Sequence, residues 1–213
     1  MLNVGNLIQD LCTFDIIKVA RRKKMVEQLV ERIRQKDQRA MSQLYQMYIR
    51  ELSSVCYRYV PTDADAKDVL QNSFVNIFKS IPTMDYRGEA AFKMWMKKIV
   101  VNEALNFLKE RRKLRSAFGQ RITEPDMELE SDIQPSNSED LNAALLTADE
   151  LHQMVSELPD GCRTVLNLYI FEDYTHQEIA DVLGIDRATS ASQLYYAKRL
   201  LAKRIKELTN KRR

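Results

Sequence analysis

The sequence predicts an all-α protein built from two small helical domains, and three observations carry that prediction. Helix breakers are scarce, with five Gly and five Pro in 213 residues, while Leu, Ala, Glu, Lys, Arg and Gln abound. Apolar residues recur at three- and four-residue spacing through most of the chain. One stretch, 114–140, lacks that period and gathers acid, Pro, Ser and Asn, a composition that cannot bury enough surface to order itself and so reads as a linker. A chain of this length is enough for two small cores. The expected division is a 1–25 extension, a bundle over 26–113, the linker, and a second helical domain over 141–213.

Taken in order, Val26, Leu29, Val30 and Ile33 stand at i, i+3, i+4 and i+7 and make the first helix. Asp37 is placed to cap a second, whose inner side is Met41, Leu44, Tyr45, Tyr48, Leu52, Val55, Cys56 and Tyr59, and Pro61 ends it. Thr62 with Asp65 resembles a capping box and opens a third helix, which buries Leu70, Phe74, Ile77, Phe78 and Ile81. After the loop Pro82–Gly88, a fourth helix runs from about Glu89 to Arg112 with Phe92, Trp95, Met96 and Ile99 at helical spacing. Beyond the linker the period resumes at Leu141 and Leu145, passes through Leu151, Met154, Val155 and Leu158, stops at Pro159–Gly161 and restarts from Val165 to Ile170.

The last part of the chain carries the strongest local signal. Thr175 and Glu178 form a capping box that starts a short helix with Ile179, Ala180 and Leu183 inward; Gly184 supplies a left-handed stop, and Asp186 is placed to cap a long final helix. Two helices joined by a short turn containing Gly are a helix-turn-helix. With Leu194, Ala197, Leu201, Ile205 and Leu208 on one side, the opposite side is expected to present Thr189, Ser192, Gln193, Tyr196, Arg199 and Lys203. Small and amide groups first, cations later, is the order expected of a helix that enters a major groove by its N-terminus and runs out along phosphates.

Charge supports that reading. Residues 93–115 sum to about +6 and 187–213 to about +8, with about −10 between them over 116–160. A single basic run is often only a solvated helix face, but two inside helical patterns point to a polyanion partner. Three cysteines, Cys12, Cys56 and Cys162, lie far apart with no Cys-x-x-Cys spacing, as in a reducing compartment. Asp10 and Asp15 interrupt the N-terminal apolar residues and no apolar run approaches a membrane span, so neither export nor membrane insertion is expected and the chain reads as cytoplasmic.

Nothing adds up to an enzyme. Asp63, Asp65 and Asp68 could hold Mg²⁺ on a helix face, but acids at a helix N-terminus stabilise it through the dipole, and no second acidic motif accompanies them. His152 and His176 lack ligand spacing, and no phosphate-binding Gly-rich loop is present. No cofactor and no metal are expected.

Four segments in a fixed order, Asp65-Ala-Lys-Asp68-Val-Leu-Gln71-Asn-Ser-Phe74, Tyr86-Arg87-Gly88 through Trp95, Ile99-Val-Val-Asn102, and Thr175-His-Gln-Glu178-Ile-Ala through Ile185, resemble the extracytoplasmic-function sigma factors of bacterial RNA polymerase, in the sigma-70 family. The resemblance covers 26–113 and 141–213. It implies a promoter-specificity subunit whose partners are core RNA polymerase, promoter DNA and an anti-sigma factor. Core polymerase would be bound through Asp65, Asp68, Gln71, Asn72 and Asn76. The minus 10 element, taken as single strand, would meet Arg87, Trp95, Lys97, Lys98, Asn102, Asn106, Lys109, Arg111 and Arg112, which offer cations for a backbone and room for an extruded base. Trp95 could stack on a base, although its place between Phe92 and Ile99 favours a core role. The minus 35 element would meet Arg187, Thr189, Ser192, Gln193, Tyr196, Arg199 and Lys203, with Gln193 and Ser192 as base readers. Ala191 and Gln193 stand where many members carry Lys or Arg, so base preference does not transfer from relatives. The alternative is an autonomous helix-turn-helix regulator whose N-terminal bundle dimerises.

Overall fold

A computed structural model describes residues 21–117 and 146–212, so the expected tail 1–20, with Cys12, and most of the expected linker, with Leu141 and Leu145, lie outside the described residues. The described residues are helical almost throughout: α1 (21–34), α2 (Gln38–Tyr59), α3 (Asp63–Ser80), α4 (Glu89–Ala117), α5 (Ala148–Ser156), α6 (Asp160–Phe171), α7 (His176–Leu183) and α8 (Arg187–Lys211). None of these helices is long and apolar enough to cross a membrane. By contact the chain divides into two compact units. The first holds 21–55 and Lys67–Glu103, and the second holds Cys56–Ala66 and the residues from Ala104 onward.

In the first unit the apolar periods predicted from sequence supply most of the core, although Tyr45, expected on the inner side of α2, is 43% exposed. Val26, Leu29, Val30 and Ile33 of α1 are buried, as are Leu44, Tyr48 and Leu52 of α2, Phe74 and Ile77 of α3, and Phe92, Met96 and Val100 of α4. The rings of Tyr48 and Phe92 meet edge to face at 6.2 Å between centroids, and Trp95 stacks on Phe92 at 5.6 Å, geometries that aromatic pairs prefer. Asp37 caps α2 as expected, its carboxylate accepting from the amides of Arg39 at 2.8 Å and Ala40 at 3.3 Å. Two boundaries differ from the prediction. The first helix already includes 21–25, where Arg22 donates to Glu89 at 2.8 Å. At the other end α4 continues to Ala117, into the segment read as linker, because no Gly or Pro precedes Gly119 to stop it.

The second unit carries the helix-turn-helix. Thr175 and Glu178 close a full capping box on α7, and the hydrogen bond from the Thr175 amide, with that from its hydroxyl, holds the Glu178 carboxyl below the usual carboxylate range. Gly184 ends α7 at φ 65°, a left-handed conformation that a Cβ would strain. Asp186 occupies the cap position of α8, but its side chain makes no capping hydrogen bond there. A second capping box, Thr147 with Glu150, starts α5 and was not anticipated. Cys56 and Cys162 are both buried, and burial pushes the Cys56 thiol up to about 12.

Candidate nucleic-acid interface

The final helix shows which of its sides is available. Ser190, Gln193, Leu194 and Ala197 are buried. At about 100° per residue they cover one side of α8, and the side opposite carries Ala188 and Tyr195, both exposed, with Ser192 and Arg199 half-buried beside them. The expectation that Gln193 stands exposed is therefore corrected: it is 7% exposed, and its amide lies so close to Gly161 that a Cβ there would meet Gln193 Nε2 at 2.9 Å. Ser190, fully buried, shares a hydrogen bond of 2.9 Å with His176 Nδ1 of α7, and the imidazole stacks on Tyr169 of α6 at 4.9 Å. These polar partners turn α8 so that Thr189 and Tyr196 are half-buried, while Arg187 and Lys203 stay exposed.

Tyr195 is the residue sequence reading missed. It is 55% exposed, with the Arg199 guanidinium 5.8 Å from its ring centroid. The signal was available: Ser190, Gln193 and Ala197 follow at i, i+3 and i+7, the spacing of one helix face, but their polarity disguised it.

On α4, Met94, Lys98, Asn102, Asn106, Lys109 and Lys113 are exposed at successive three- and four-residue steps and form one stripe. Met94, 65% exposed, is an apolar member the sequence reading passed over. Arg112 is exposed beside the stripe. Lys97, expected to be available, instead bonds Glu51 at 3.1 Å, as does Lys93 at 3.1 Å. Partial burial of Glu51 opposes its ionisation, yet the two ammonium groups together hold its carboxyl below the ordinary range. Arg87 pairs with Asp85 at 2.8 Å, both well exposed. Trp95 is half-buried and stacked on Phe92, the core-side position that its spacing favoured.

On α3, Asp68, Gln71 and Asn72 are exposed together with Val75 and Lys79. Val75 is a second unanticipated apolar side chain, set at i+3 and i+4 from Asn72 and Gln71. The other two residues assigned to this surface are engaged elsewhere. Asp65 accepts from Arg111 at 3.2 Å, so the structure pairs two residues assigned to different partners, and Asn76 donates to Glu103 at 2.8 Å. Asp63 accepts from the Tyr57 hydroxyl at 2.8 Å, and among the described residues no three His, Cys, Asp or Glu side chains are placed to hold a metal ion.

A helix-turn-helix whose long helix exposes Arg187, Tyr195 and Lys203, in a chain with a second basic helix face, defines a nucleic-acid-binding protein. Residues 44–114 match the family described as Sigma-70 region 2, and 148–201 match Sigma-70, region 4. The chain is 30% identical to the RNA polymerase sigma-H factor of Pseudomonas aeruginosa over 85% of its own length and 94% of the relative's. To the ECF RNA polymerase sigma-E factor of Haemophilus influenzae it is 28% identical, covering 84% of this chain and 95% of that one. Among solved structures, that of CnrH in complex with the cytosolic domain of CnrY matches with a TM-score of 0.44 at 18% identity, over 86% of this chain and 98% of that one. The chain belongs to the sigma-70 family of RNA polymerase sigma factors, in its extracytoplasmic-function group.

Proposed function

We propose that this sigma factor directs RNA polymerase to its promoters through three separate helix faces. The exposed side of α3, Asp68, Gln71 and Asn72 around Val75, docks on core polymerase. The stripe Lys98, Asn102, Asn106 and Lys109 of α4, with Arg112 beside it, holds the minus 10 single strand, its cations meeting phosphates and its amides meeting a base. The exposed side of α8 reads the minus 35 duplex. There Ser192 and Tyr195 reach base edges, and Arg187, Arg199 and Lys203 meet phosphates. In this reading Lys97, Asp65, Asn76 and Gln193 support the scaffold that presents those faces. The division of labour follows 26–113 and 141–213, an anti-sigma factor is the expected regulator, and the chain performs no catalysis of its own.

The observation that carries the reading is the presence of both sigma regions in one chain, in order, with polar side chains left exposed on the helix of each that would act. It disfavours an autonomous regulator, which has no need of a polymerase-docking region. The test is capture of the full chain on core polymerase followed by run-off transcription. Asp68→Lys with Gln71→Ala is expected to lose holoenzyme formation while keeping its helical content. Normal holoenzyme formation by the folded double variant refutes the α3 assignment, and tight duplex binding without polymerase favours the regulator.

A further inference from the structure

Between α3 and α4 the chain passes through a short 3-10 turn, Ile81–Thr83, and then a loop of irregular backbone, 84–88. Contacts from elsewhere in the first unit fix that loop at both ends. Arg34, the last residue of α1, donates from Nη2 to the Met84 carbonyl at 2.7 Å. Arg22, near the other end of α1, donates to Glu89 at 2.8 Å, and Tyr48 of α2 donates from its hydroxyl to the same carboxylate oxygen at 3.3 Å. Between these anchors Tyr86 turns inward. Its ring meets Phe92 edge to face at 5.9 Å, and its buried hydroxyl bonds no partner among the described residues. Burial, with the carboxylates of Glu27 and Glu89 nearby, raises the pKa of that phenol. Asp85 and Arg87, on either side of it, point outward as a pair 2.8 Å apart, with side chains 74% and 78% exposed. Gly88, at φ 102°, ends the loop in a conformation that side chains rarely adopt, and its carbonyl accepts from the Phe92 amide as α4 begins.

A buried hydroxyl without a partner is a cost to the folded loop, so Tyr86 holds it only by its ring, and the conformation depends on the two arginines that α1 supplies. Each of those arginine contacts is partly exposed, so its worth to the stability of the whole unit is small. What they fix is the position of Arg87. Gly88 leads straight into α4, and Lys98, the first cation of the exposed stripe, lies only about 15 Å further along that helix. Arg87 and the stripe are therefore within reach of the same strand. A strand captured single must offset the cost of leaving its duplex, and a loop already ordered loses no freedom of its own when the strand arrives.

We propose that α1 is a brace for this loop, with Arg34 and Arg22 as positioning residues that hold Arg87 where the melted minus 10 strand passes. The proposal rests on the promoter-reading function above and extends it to a helix outside the faces assigned there. Its test is the affinity of holoenzyme, assembled from the full chain, for a single-stranded minus 10 oligonucleotide taken from a promoter that the same holoenzyme transcribes in run-off assays. Arg34→Ala is expected to weaken capture about tenfold and Arg22→Ala about threefold, with affinity for core polymerase, helical content and binding of minus 35 duplex unchanged. Arg34→Lys, which keeps a donor for the Met84 carbonyl, retains most of the wild-type affinity. A merely structural arginine would lower the denaturation midpoint and leave strand affinity alone. Because Arg34 acts through Arg87, Arg34→Ala combined with Arg87→Ala is no worse than Arg87→Ala by itself. Wild-type capture by folded Arg34→Ala, or losses at Arg34 and Arg87 that add, overturns the brace. Should Arg34→Ala lose helicity, Arg22→Ala combined with Arg87→Ala decides by the same comparison. Capture unaffected by Lys98→Glu with Lys109→Glu instead overturns the functional reading, whereas a loss there with none in Arg34→Ala strikes the brace alone.

Discussion

The two long helices that carry the cations, α4 and α8, hide their inner sides by different chemistry. The buried side of α4 is wholly apolar, with Phe92, Met96, Val100, Val101, Ala104 and Leu105. That of α8 is half polar, with Ser190 and Gln193 beside Leu194 and Ala197. An apolar stripe sets the rotation of a helix by burial alone, which is non-directional and depends only on which residues are greasy. A polar buried side needs particular partners, and the His176 hydrogen bond to Ser190 and the bare backbone at Gly161 supply places for these side chains. The difference teaches that an exposed face is read reliably from sequence only where the opposite face is apolar.

The largest effect expected is on α4. Lys98→Glu with Lys109→Glu, on a side that no core contact holds, should lower run-off transcription about a hundredfold, ~2.7 kcal/mol, with helical content unchanged. Full activity would mean that the stripe does not meet the strand. On α8 the comparison makes opposite forecasts for adjacent residues. Gln193→Ala should lower the unfolding stability of the chain by about 1–3 kcal/mol, the cost of disturbing a buried polar site, and leave the pattern of minus 35 base preferences intact. Tyr195→Ala or Ser192→Ala should change that pattern by about 1 kcal/mol at one position with stability unchanged. Chemical denaturation alongside a minus 35 mutational profile checks both, and a profile flattened by Gln193→Ala at unaltered stability breaks the comparison.

Smaller effects sharpen it. Arg199→Ala should weaken binding alike at every promoter and lower the salt slope by about one; a promoter-dependent loss would make Arg199 a reader rather than an anchor. The smallest concerns the N-terminus. A chain beginning at Met25 loses the Arg22–Glu89 pair, half-exposed on the arginine side, and should unfold within about 1 kcal/mol of the full chain. A larger drop in the denaturation midpoint would show that 1–24 supports the fold beyond that pair.

What is legible in the amino-acid order follows from period and local chain chemistry. The apolar period in α1 to α4 named the core correctly at Val26, Leu29, Ile33, Leu44, Phe74 and Phe92, because burial of such residues is cooperative and local spacing reports it. Thr175, Glu178 and Gly184 named the start and stop of α7 correctly, because caps and left-handed turns are satisfied within a few residues. Tertiary structure alone decided the rest. It buried Gln193 against Gly161 and paired Asp65 with Arg111, Lys97 with Glu51 and Asn76 with Glu103. Each is a polar contact between segments far apart in the chain. Such contacts depend on distance and direction between backbones already packed, and composition and spacing carry neither.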